Sequence, residues 1–75
     1  MNITEFTKHF AEQFDETPLD EFKPTTVFKE LDEWGSLTAL SIIAMIDEEM
    51  EKRITGADIR SSNTIEDLFL LIQSK

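Results

Sequence analysis

Near the start of the chain Ile3, Phe6, Phe10 and Phe14 follow one another at intervals of three, four and four. At about 100° per residue those intervals place all four on one side of a helix, as a stripe that must be buried against something else. Helical spacing returns in Ala39, Ile42, Ile43, Ile46 and Met50, and again in Ile65, Leu68, Phe69, Leu71 and Ile72. No segment alternates apolar and polar residues between hairpin turn signals, so a sheet is not expected. With 75 residues there is room for one core. The expectation is therefore all-α: a single domain over residues 1–75, built as a bundle of three main helices plus one short helix, with a long ordered loop between the first and second.

Local signals set the expected boundaries. Asn2 and Glu5 stand at capping-box distance, so the first helix starts there and fades before Pro18, whose predecessor Thr17 is biased away from helical angles. From Asp15 to Gly35 no periodic pattern survives. Leu19, Phe22, Val27, Phe28 and Leu31 are its expected apolar anchors, and Val27 to Leu31 is read as one short helical turn. A connection of that length is uncommon unless it is functional or packed by its own side chains. The second helix is expected from Ser36, a favourable N-cap, to Arg53, with Gly56 as its stop. Ala57 to Arg60 makes at most one turn. The last helix starts at Thr64, with Asp67 at capping-box distance, and runs to Gln73.

Composition narrows the function. Sixteen acids against seven Lys and Arg give a formal charge of −9. That balance argues against nucleic acid and anionic membranes, whose recognition needs clustered cations, and favours partners with basic surfaces and a monomeric state. There is no Cys, hence no disulfide, thiolate metal site or cysteine nucleophile. The single His9 excludes an imidazole-rich metal cluster and reads as a bystander beside the first apolar stripe. No apolar run approaches the ~18 residues of a membrane span, and Met1 to Glu5 lacks a signal pattern, so the expected location is cytoplasmic.

The second helix carries two apolar faces. Opposite its core stripe lie Leu37, Leu40 and Ala44, bordered by Asp47, Glu48 and Glu51. Either the leucines pack under the long loop, or the strip is a docking surface on which acids steer a basic partner and leucines supply contact area.

The segment Leu31-Asp32-Glu33-Trp34-Gly35-Ser36-Leu37-Thr38-Ala39-Leu40 resembles the modification site of acyl carrier proteins, small acidic helical bundles whose signature is Asp-Ser-Leu at the start of the second helix. The resemblance covers essentially the whole chain, including the Phe-rich first helix, the long loop and Thr64-Ile65-Glu66-Asp67-Leu68 opening the last helix. It implies that Ser36 bears 4'-phosphopantetheine, transferred from coenzyme A by a phosphopantetheinyl transferase. It implies further that the arm carries acyl groups as thioesters in fatty-acid, polyketide or specialised biosynthesis. Acyl-activating, condensing or acyl-transfer enzymes with basic surfaces would then dock on Leu37, Leu40, Ala44, Asp47, Glu48 and Glu51. Taken alone, Ser36 reads only as an N-cap. The chain departs from the family at Gly35, where Asp is usual, and at Thr38 and Ser41, where many carriers have acids. The alternative is an unmodified carrier-like module for protein–protein interaction. A free-standing enzyme is not expected, because the only His is far from any nucleophile in sequence.

Overall fold

The structure, a computed structural model, describes residues 1–75. It is all-α: α1 spans Ile3–Ala11, α2 Ser36–Met50, α3 Gly56–Ser61 and α4 Ile65–Gln73. Two single-turn 3-10 helices, Leu19–Glu21 and Phe28–Glu30, lie in the connection between α1 and α2. No helix is long and apolar enough to cross a membrane.

Three of the four helices start on reciprocal caps. Asn2 accepts from the Glu5 amide and Glu5 accepts from the Asn2 amide; Thr55 and Asp58, and Thr64 and Asp67, repeat the arrangement at α3 and α4. The pairs work because a residue and its third successor face each other across the first turn. Both boxes expected from sequence are present. The third shows that Gly56 opens α3 instead of stopping α2. Helix α2 ends at Met50, short of Arg53, because Glu51 turns left-handed at φ 54° and its amide bonds the Asp47 carbonyl at 3.1 Å.

Helix α1 stops at Ala11, yet Phe14 keeps its place in the core. The Gln13 and Phe14 amides bond to Phe10 and Ala11 in tighter turns, which carry the ring inward. Phe10, fully buried, is the hub of an aromatic cluster, with ring centroids 6.2 Å from Phe6, 5.6 Å from Phe14, 6.4 Å from Phe22 and 5.3 Å from Phe28. Phe6 continues it to Phe69 of α4 at 5.2 Å, and Phe28 continues it to Trp34 at 4.9 Å, edge to face. Such pairs contribute about 0.5–1.5 kcal/mol each beyond area burial. Aromatic packing thus runs from α1 through the long connection to the residue before Gly35-Ser36.

Of the expected loop anchors, Phe22 and Phe28 are buried and Leu31 is half-buried, whereas Leu19 and Val27 are exposed at 63% and 40%. Polar contacts make up the difference. Glu33 accepts from the amides of Asp15 at 3.0 Å and Glu16 at 2.8 Å, and from both the amide and the hydroxyl of Thr17. The loop also receives α4: the Ile65 amide bonds Thr26 at 3.2 Å, and the Glu66 amide bonds Pro24 at 2.9 Å. From α2 the core takes Ile42, Met45 and Ile46, with Ala39, Ile43 and Met50 half-buried against it. The buried side is therefore rotated toward Met45 relative to the stripe read from sequence. On α4, Ile65, Leu68, Phe69 and Ile72 are buried while Leu71 is only half-buried.

Candidate functional site

Ser36 is the first residue of α2 and is exposed. It is not the cap expected from sequence. Gly35 takes that place, and its carbonyl accepts the first intrahelical bond from Ala39 at 2.9 Å. Because the helix starts one residue earlier than a capping serine requires, the Ser36 hydroxyl bonds to no other group in the chain. No side chain caps the first turn of α2 and no acid stands in it, in contrast to α1, α3 and α4. The start of α2 therefore presents free amides and the positive end of a fifteen-residue helix beside a free hydroxyl. A phosphate ester on that oxygen suits such a setting.

The approach to Ser36 is held from two directions. Trp34 packs on Phe28 and Phe14, with centroids 4.9 and 6.5 Å apart, and its amide bonds the Leu31 carbonyl at 3.0 Å. Glu33 clasps residues 15–17 through its carboxylate, and its carbonyl accepts from the Thr38 hydroxyl at 2.9 Å. Those four bonds to the carboxylate, the Thr17 hydroxyl foremost, hold its pKa below the ordinary glutamate range despite an opposing contribution from burial. Gly35 itself is extended at φ −173° and ψ −176°, and a Cβ there would meet nothing within 4 Å. Neither backbone nor packing demands glycine at that position.

Beside Ser36 opens a cleft of about 320 Å³ between the loop, the start of α2 and α3. Trp34, Ala39 and Ile59 give it apolar walls, and Lys29 and Arg60 give it charge. Neither cation was singled out by sequence reading: they are thirty-one residues apart and share no motif. No imidazole or carboxylate lines this cleft. His9 lies elsewhere, 3.2 Å from Glu12, in a groove between α1 and α2 shared with Ser41, Ala44, Glu48 and Glu49. No three His, Asp or Glu side chains converge in an arrangement that could hold a metal ion.

The strip expected along α2 is open to solvent. Leu37 is 82% exposed and Leu40 61%, so the loop covers neither leucine. Ala44, Asp47, Glu48 and Glu51 are exposed as well, the last just past the end of the helix. Thr38 is turned toward the Glu33 carbonyl, and the Ser41 hydroxyl donates to Leu37 at 3.2 Å. Searches of protein-family models, curated proteins and solved structures find no match to this chain, so the functional reading has to come from these residues.

Proposed function

We propose that the protein is an acyl carrier that holds acyl groups on a 4'-phosphopantetheine arm esterified to Ser36 and presents them to partner enzymes in the cytoplasm. The observation that carries this reading is the free, exposed Ser36 hydroxyl at an uncapped helix start, continuous with an exposed leucine–acid strip on the same helix. The arm supplies a thiol, the nucleophile that a Cys-free chain lacks. The chain's own part is to fix Ser36 at the surface and to offer the strip. Asp47, Glu48 and Glu51 attract basic enzymes, among them the transferase, and Leu37, Leu40 and Ala44 provide contact area once they arrive. In the attachment step the Ser36 oxygen bonds to the β-phosphorus of coenzyme A, the pyrophosphate bond breaks, and the nucleotide leaves. The serine proton passes to a base on the transferase, consistent with the lack of any base in the cleft.

Incubation with coenzyme A and a broad-specificity transferase, followed by intact mass, tests the reading. The wild type gains the mass of the arm and Ser36→Ala does not; an unchanged wild type rejects it. A second reading, an unmodified interaction module, is favoured by Gly35 standing where carriers have Asp. Gly35→Asp separates the two. A Cβ at that position meets no atom within 4 Å and the backbone is extended, so stability stays within about 0.5 kcal/mol. A carrier with a narrowed choice of transferase is then modified faster, whereas an interaction module remains unmodified.

A further inference from the structure

The cleft beside Ser36 is anomalous in charge. The chain has sixteen acids and seven Lys and Arg, yet the cleft is lined by two of the cations and none of the acids. Both cations are built into it. The Lys29 ammonium donates to the Arg60 carbonyl at 2.6 Å and lies 5.9 Å from the centroid of the Phe28 ring, which leaves two of its three N–H groups free. The Arg60 guanidinium lies back over Gly56, where a Cβ would meet its Nη1 at 3.2 Å; the missing side chain permits this close approach. Neither cation pairs with a carboxylate, because the only two ion pairs in the chain are His9 with Glu12 and Lys75 with Asp58. Asp58, the acid nearest to Arg60 in sequence, is occupied by the Thr55 amide at 2.9 Å and by Lys75 at 3.1 Å. Two unpaired cations facing one acid-free cleft, within a strongly acidic protein, suit a small anion. Gly35 keeps a carboxylate out of the same space.

We propose that Lys29 and Arg60 form a clasp for a phosphate group carried on the Ser36 oxygen. The clasp rests on the carrier reading for the identity of the ester, and on the cleft for its own existence. Charge-assisted bonds from an ammonium and a guanidinium hold the phosphate against α3. Trp34, Ala39 and Ile59 meet whatever apolar chain follows it. The first segment of the arm then moves with the protein, and only the remainder swings.

Phosphorus NMR on two forms of the protein tests this. In the arm-bearing wild type the phosphodiester resonance is broad, as for a group tumbling with the protein. In Lys29→Gln/Arg60→Gln it narrows and shifts, while Lys29→Arg/Arg60→Lys, which keeps both charges, stays close to wild type. Equal line widths and shifts in wild type and the neutral double variant overturn the clasp and leave the carrier reading standing. If the wild type gains no arm mass, the carrier reading fails and the second form decides the clasp. In protein carrying phosphoserine at position 36, installed during translation, two opposite charges beside the phosphate lower its second pKa by about 1 unit or more relative to the neutral double variant. Equal values overturn the clasp. Circular dichroism on each variant verifies that the helices are retained.

Discussion

Glu33 gathers four donors from residues 15–17 on one carboxylate, and its carbonyl steadies the first turn of α2 at Thr38, three residues beyond Gly35. Its folded-state pKa is depressed, so its contribution is complete above the unfolded glutamate value of about 4.3 and disappears as pH falls through the lower folded value. Glu33→Gln is expected to lower the denaturant midpoint at pH 7, and the gap to wild type should narrow progressively as the pH falls below about 4.3. A gap that stays constant as the pH falls through the acid range would mean that packing, not charge, holds the contact. Asp67, lowered chiefly by the Thr64 amide, and Asp58, lowered chiefly by the Thr55 amide with help from Lys75, weaken in the same direction on acidification. Acid should therefore loosen the starts of α3 and α4 together with the loop. None of this was legible at Glu33 in the sequence, since its donors lie sixteen to eighteen residues away. The caps at Asn2 and Thr64 were legible because each partner is three residues along the chain.

Among the elements, α2 is the least ordinary. It buries one flank against the core and leaves Leu37 and Leu40 exposed on the other. Because those leucines support nothing in the fold, Leu40→Ala should change stability by no more than about 0.5 kcal/mol. Binding of a docking enzyme such as the transferase should weaken by about 1–2 kcal/mol, the usual loss for an apolar anchor near the centre of an interface. Calorimetry on the purified pair measures the second effect and thermal melting the first. If both were unchanged, the strip would not be the docking surface. Helical spacing placed these leucines correctly opposite the core, since it needs only the helix. It left open whether the loop covers them. Nor could it find the end of the helix at Met50, because Glu51 takes a left-handed conformation with no glycine to announce it.

For the molecule as a whole, the aromatic cluster around Phe10 joins α1 to both 3-10 turns and, through Trp34, to the start of α2. Phe10→Ala removes a fully buried ring that packs on four others, a loss of about 3–5 kcal/mol. A domain of this size has only about 5–15 kcal/mol in total, so the variant should melt far below wild type and present Ser36 on a disordered loop. Thermal unfolding followed by the single Trp34, which stacks on the same cluster, reads both effects. By itself the sequence determined the helical class, the caps and the two faces of α2, because each depends on residues within a turn or two of one another. Tertiary structure alone decided that the Ser36 hydroxyl is free instead of capping, that the leucine strip is uncovered, and that Lys29 and Arg60 share a cleft with Ser36. Exposure and convergence depend on which distant segments pack side by side, and local spacing carries no record of that.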